Sequence, residues 1–191
     1  TCRDWSSDVC SSDLFTGNEA EVLHGMMKIS VKTSSTGRVL DALSCWLGIC
    51  DVMTYDGEPA MKLEPYIRRG NAIHEFHADV KSGTVDTPGL FAQLAEVSKP
   101  GKIPGQKDTA NIARSFTDAL FEGLVEAANP GEHLGFTGGV SYNLAINDIL
   151  QEKLDERGVK FIIHGCVPNG DGGVSFGQLV GGGYNLLGDS R

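Results

Sequence analysis

The sequence predicts an α/β fold, and three local patterns carry the prediction. In the last third, the short apolar runs His133 to Phe136 and Phe161 to Ile163 each lead into a glycine-rich turn and then a helical pattern. The turns read Phe136-Thr137-Gly138-Gly139-Val140-Ser141-Tyr142-Asn143 and Val167-Pro168-Asn169-Gly170-Asp171-Gly172-Gly173-Val174-Ser175-Phe176-Gly177-Gln178. Strand, glycine turn and helix together leave backbone N–H groups near a helix N-terminus, where they can hold a phosphate. The second pattern is a stripe of Ile112, Phe116, Ala119, Leu120, Gly123, Leu124 and Ala127, one buried face of a helix from Thr109 to Asn129. The third is Lys81-Ser82-Gly83-Thr84, a hairpin-like turn between extended segments.

Residues 1–14 stand apart. Asp4-Trp5-Ser6-Ser7-Asp8-Val9-Cys10-Ser11-Ser12-Asp13-Leu14 resembles the translation of a short-read sequencing adapter. It has no apolar h-region and is not a signal peptide, so 1–14 reads as a non-native, disordered tail and 15–191 as the domain. Glu19 to Lys28 predicts a helix ending before the β-branched stretch Ile29-Ser30-Val31. Ser34, Ser35 or Thr36 can cap the next helix, Arg38 to Gly48, whose apolar residues Val39, Leu40, Leu43, Trp46 and Leu47 recur at three- and four-residue steps. Gly57-Glu58-Pro59 opens a helix to about Arg69, with proline in the first turn. Alternation from Ile73 to Val80 predicts a strand that places His74 and His77 on opposite faces, against their forming a metal pair. Thr84 to Thr87 is a second short strand, and Pro88 opens a helix from Gly89 to Val97. The loop 99–105 follows, and Pro130-Gly131 ends the long helix. After the first glycine turn a helix runs from Val140 to Arg157. After the second, one runs from Val174 to Leu179 and is broken by Gly181-Gly182-Gly183.

Composition narrows the class. A net charge of −9 without a basic cluster argues against nucleic-acid binding. No apolar run approaches the ~18 residues of a membrane span. Outside the tail, Cys45, Cys50 and Cys166 form no C-x-x-C pair and read as reduced, partly buried thiols of a cytoplasmic protein.

The candidate site residues come from the turns. Gly138 and Gly139 permit close backbone approach, and Asn143, four residues into the following helix, can reach a ligand above the turn. Asp171, flanked by glycines, is an exposed carboxylate with room for a cation. Asp41 lies off the apolar stripe in its helix's first turn, where it either complements the macrodipole or points at a ligand. Glycine pairs also mark ordinary tight turns. Each turn alone leaves that reading open; two of them with Asn and Asp so placed favour a nucleotide site.

Four blocks resemble one family. Thr137-Gly138-Gly139-Val140-Ser141-Tyr142-Asn143 is similar to the S-G-G-V-x-x-N motif of the hydrogenase maturation carbamoyltransferases, the HypF family. The second turn resembles that family's V-P-P-N-D-G-G-x-x-L-G-Q, with Asn169-Gly170 in place of Pro-Asn. Thr33 to Ala42 resembles S-S-A-G-R-L-F-D-A, and Thr54 to Glu64 resembles T-Y-E-G-x-x-A-M-x-L-E.

The resemblance implies one lobe, the C-terminal one, of an actin-like ATPase fold (sugar kinase, heat-shock chaperone, actin), a mixed sheet with flanking helices. It implies that ATP binds in a cleft between two lobes, with Asp41 on the ribose, Gly57, Glu58, Gly138, Gly139 and Asn143 at the nucleotide, and Asp171 on a divalent metal. Glu58 stands where the broader superfamily has a second glycine. The metal would be iron or zinc, with magnesium also possible, and its H-x-x-x-H ligands would come from the missing lobe. The complete enzyme would use ATP and carbamoyl phosphate to form carbamoyl adenylate. It would then pass the carbamoyl group to the C-terminal cysteine of a partner maturation protein, for the cyanide ligand of [NiFe]-hydrogenase, and the fragment alone would be inactive. The related tRNA threonylcarbamoyltransferases share the first motif but carry G-E-A-F-D-K near the Asp41 position, where Gly37-Arg38-Val39-Leu40-Asp41-Ala42 follows the hydrogenase version. A sugar or acetate kinase of the same fold, and an inert module docking a partner through its acidic surface, are the remaining readings.

Overall fold

The computed structural model describes residues 17–29, 33–101 and 105–188. The 1–14 tail, the stretch 30–32 and the loop positions 102–104 lie outside the described residues. In order, the elements are α1 (Gly17–Met27), α2 (Thr36–Trp46), α3 (Glu58–Arg69), β1 (Val80–Lys81), β2 (Thr84–Val85), α4 (Thr87–Val97), α5 (Gln106–Ala128), β3 (His133–Phe136), α6 (Leu144–Glu156), β4 (Lys160–Ile163) and α7 (Val174–Gly188). Short 3-10 turns, Gly139–Tyr142 and Asp171–Gly173, precede α6 and α7.

The core is built on α5. Phe116, Leu120 and Phe121 of α5 are fully buried against Leu40 and Leu43 of α2, Leu63 and Ile67 of α3, and Ile146 and Ile149 of α6. The apolar stripes foreseen for α2 and α5 both enter this core, with α3 packed against each of them. At the end of α3 the backbone comes so close to α5 that a Cβ on Gly70 would lie 1.9 Å from the Ala110 carbonyl oxygen. Lys153 of α6, also buried, reaches Asp118 and Glu122 of α5 at 2.9 and 3.0 Å, and Arg157 pairs with Glu122. Burial opposes the Glu122 charge, but the two cations prevail and hold its carboxyl below the usual range.

Instead of one mixed sheet there are two separate two-stranded ones, an antiparallel hairpin β1–β2 and a parallel pair β3–β4. The hairpin turns on Ser82 and Gly83, both with positive φ, as a tight two-residue loop requires. The strand foreseen from Ile73 to Val80 shrinks to its last residues because its N–H groups find side chains of helices. Asn71 N donates to Asn111 Oδ1 (2.9 Å), Ile73 N and His74 N donate to Ser115 Oγ (3.1 Å each), and His77 N donates to Gln93 Oε1 (2.9 Å). A segment bonded this way needs no neighbouring strand.

Three other expectations are corrected. Ser35 occupies the N-cap position of α2 without a side-chain capping bond. Asp86, which the sequence reading passed over, caps α4 by accepting from Gly89 N (3.0 Å). Gly181-Gly182-Gly183 does not break α7, which runs through it to Gly188. Glycine costs about 1 kcal/mol against alanine in a helix, a bias and not a prohibition. Cys45, Cys50 and Cys166 are free thiols, and Cys166 is exposed. No helix among the described residues is long and apolar enough to cross a membrane.

Candidate functional site

The site grows from the β3–α6–β4 unit. The strands pair in parallel register from His133↔Lys160 to Phe136↔Ile163, so both glycine turns leave the same, carboxyl edge of the pair. Ligands of open parallel sheets bind at that edge. The turns do not face each other across a helix; they are bonded directly. Gly138 N and Thr137 Oγ1 both donate to the Asn169 carbonyl, at 2.8 and 3.0 Å, and Gly170 N donates to Tyr142 Oη at 3.0 Å.

This arrangement moves the free donors. Gly138 holds φ at +92°, a conformation for glycine, but its N–H is taken by Asn169. The next two N–H groups, those of Gly139 and Val140 at the start of the 3-10 turn, have no partner among the described residues. Asn143 is not four residues into a helix. It is the N-cap of α6, with Oδ1 accepting from Ile146 N at 3.0 Å. Glu64 Oε1 accepts from Leu144 N at 2.9 Å. The protein's own oxygens thus take the Leu144 and Ile146 N–H groups of α6, and the unpaired donors of the first glycine turn lie one turn earlier.

A cavity of about 620 Å³ opens in front of those donors. It brings together four of the sequence-predicted residues, Asp41, Gly57, Gly139 and Asn143. Asp41 stands 3.5 Å from Arg38. Burial pushes its carboxyl above the ordinary value; Arg38 pulls it down in part, and the Asp56 charge raises it further. Asp56, Glu64 and Tyr142 also line the space, and none of the three was singled out from the sequence. Glu64 closes the Thr54 to Glu64 block, so its place there was the available signal; nothing local marks Tyr142. The volume suits a nucleotide-sized ligand, with backbone donors for a phosphate and carboxylates for hydroxyl groups.

Glu58 does not join them. Its side chain is buried, Oε2 accepting from Thr54 N (2.6 Å) and Thr54 Oγ1 (2.8 Å), and Oε1 lying 2.7 Å from Lys62 Nζ. Lys62 and the two Thr54 donors hold its carboxyl down to about 2. Glu58 instead uses its side chain to fasten Thr54 onto α3. Gly138 likewise lies behind the cavity wall.

Asp171 is exposed at the start of the second 3-10 turn, outside the cavity, and makes no ion pair among the described residues. No group of three His, Cys, Asp or Glu among the described residues is placed to hold a metal. One carboxylate does not make such a site.

The model of the family described as carbamoyltransferase, Kae1-like domain, second subdomain matches residues 5–178. A probable carbamoyltransferase HypF from Methanocaldococcus jannaschii is 40% identical over 151 residues, covering 78% of this chain and 20% of its own length. The crystal structure of T. kodakarensis HypF superposes with a TM-score of 0.73 at 31% identity, over 91% of this chain and 23% of the other. A full-length HypF solved in a phosphate- and nucleotide-bound form shares the fold, with a TM-score of 0.65 at 23% identity over 86% of this chain and 23% of its own. The chain thus spans about a fifth of the length of the curated HypF relatives it matches.

Proposed function

The chain belongs to the carbamoyltransferase family defined by that Kae1-like second subdomain, and from that premise we propose that it is the nucleotide-holding C-terminal lobe of an ATP-dependent carbamoyltransferase with an actin-like fold. The full-length protein would use ATP and carbamoyl phosphate to make carbamoyl adenylate. It would pass the carbamoyl group to the C-terminal cysteine of a hydrogenase maturation partner, in synthesis of the cyanide ligand. In that step the thiol sulfur bonds the carbamoyl carbon, the bond from that carbon to the adenylate oxygen breaks, AMP leaves, and the thiol proton passes to solvent.

The observation that carries this reading is the cavity's polarity. The cavity lining combines Gly139 and Val140, whose N–H groups are unpaired among the described residues, with the acidic residues Asp41 and Asp56. Phosphate oxygens are repelled by the carboxylates and accept from the amides, whereas ribose hydroxyls donate to the carboxylates. That chemistry orients a nucleotide with its phosphate at the first glycine turn and its ribose towards Asp41. A full-length HypF of the same fold has been solved in a phosphate- and nucleotide-bound form. Fixed backbone donors act on the phosphate without reorganising.

Asp171 would contribute one ligand to a divalent metal, iron, zinc or magnesium, whose other ligands lie outside the described residues. Its neighbours Gly170, Gly172 and Gly173 have no side chains to pair its charge.

Titration calorimetry of the full-length protein with ATP tests the reading. Asp41→Asn should weaken binding about tenfold or more, because hydrogen bonds to a charged acceptor are worth about 1.5–3 kcal/mol. Unchanged affinity would place the nucleotide elsewhere. Asp171→Asn should lower the metal content found by elemental analysis, while ATP affinity stays as it was.

A further inference from the structure

Tyr142 touches both halves of the proposed machinery. It lines the cavity together with Gly139 and Asn143, and its hydroxyl accepts from Gly170 N at 3.0 Å, one residue before Asp171. The fit is close: a Cβ on Gly170 would lie 2.9 Å from Cε2 of the ring. Gly170 has φ of −103°, which any residue can adopt, so its lack of a side chain serves the ring and not the backbone. The resembling motif has Asn where this chain has Gly170, so the contact belongs to this sequence's own version of the turn. Behind it, Gly138 N on Asn169 O (2.8 Å) and Asn169 Nδ2 on Ser141 O (3.4 Å) tie the same two turns. Gly173 N then donates to Gly170 O at 2.9 Å, closing the 3-10 turn that carries Asp171.

We propose that Tyr142 is a positioning residue through which a nucleotide in the cavity fixes the Asp171 turn. A ligand against the ring limits its rotation about χ1 and χ2. A ring held in place keeps Oη over Gly170 N, and a fixed Gly170 fixes the carboxylate next to it. Coupling of this kind is reciprocal: whatever steadies the Asp171 turn also steadies the cavity wall. The inference rests on the nucleotide reading of the cavity, and the test separates the two.

Hydrogen–deuterium exchange of the full-length protein, with and without saturating ATP, reads both turns. In the wild type, ATP should slow exchange in peptides covering residues 137–143 and 167–173. Tyr142→Phe keeps the ring and removes the acceptor. ATP should then still protect 137–143, while exchange in 167–173 becomes about fivefold faster, the weight of one net hydrogen bond. Gly170→Ala, which pushes the turn off the ring without straining the backbone, should uncouple 167–173 in the same way. A thermal melt unchanged in both variants shows that each is folded. Equal protection of 167–173 by ATP in wild type and both variants would overturn the coupling alone. ATP that fails to protect 137–143 in the wild type would overturn the nucleotide reading and the coupling with it.

Discussion

Gly138 and Gly139 are adjacent and look alike in sequence, yet substitutions at them should fail in different ways. Gly138 sits at φ +92° and ψ 179°, a region essentially closed to other residues. Gly138→Val therefore forces strain of about 1–3 kcal/mol. At about 2–4 °C per kcal/mol for a domain of this size, the melting transition should fall by roughly 2–12 °C. Gly139 is outside the left-handed region, and a Cβ there meets no atom within 4 Å. Gly139→Val should melt with the wild type. The new side chain, however, stands on the cavity wall beside the free N–H groups of Gly139 and Val140. Displacing a phosphate from one such donor costs about 1.5–3 kcal/mol, or roughly 10- to 150-fold in affinity. Scanning calorimetry paired with ATP titration of the full-length protein separates stability from binding. A Gly139→Val protein that binds ATP as tightly as the wild type would refute the assignment of those donors to the phosphate. A Gly139→Val protein that melts early would refute the claim that its surroundings are open.

Three further outcomes follow from packing and charge. Gly70→Ala drives a methyl into the Ala110 carbonyl, 1.9 Å away, and should destabilise the α3–α5 contact by about 1–3 kcal/mol or more, read as a lower melting temperature. Gly173→Ala meets the Pro168 carbonyl at 2.3 Å and should loosen the Asp171 turn, read as faster hydrogen exchange in 167–173. Glu58, held down to about 2 from 4.5, stabilises the fold fully above pH 4.5, and that contribution is lost as pH falls towards 2. Glu58→Gln should therefore be less stable at pH 7 but show a shallower acid limb between pH 4.5 and 2 in denaturant titrations.

What could be read in the sequence was what is decided locally. Pro59 behind Gly57 started α3, Ser82-Gly83 turned the hairpin, and the stripe through Phe116 and Leu120 made α5 the core helix, because each depends on a few neighbouring residues. The strand, glycine turn and helix order of the last third was equally plain. The errors lie where a distant partner decides. Ile73 to Val80 alternates like a strand, but Ser115 takes the amides of Ile73 and His74 and Gln93 takes that of His77. Gly138 looked like a free donor until the Asn169 carbonyl, from the other turn, occupied it. Asn143 and Glu58 carry the right chemistry for a ligand and apply part or all of it to the protein itself, one capping α6 and the other fastening Thr54. Asp41, Gly57, Gly139 and Asn143 share a cavity because α2, α3 and the first turn converge there, which motif order alone does not state.

Strands β3 and β4 make a sheet of only two members, each with an outer edge unpaired among the described residues. Ile162 and Ile163 of β4 are 46% and 44% exposed. An edge of open N–H and C=O groups beside exposed isoleucines is a template for any extended chain that drifts past. Expressed by itself, this segment should recruit further copies of itself and collect as insoluble, strand-rich material. Expressed with further polypeptide that supplies strands for these edges, the same material should stay in solution. Solubility on truncation is thus a direct readout of how much sheet the segment leaves to others.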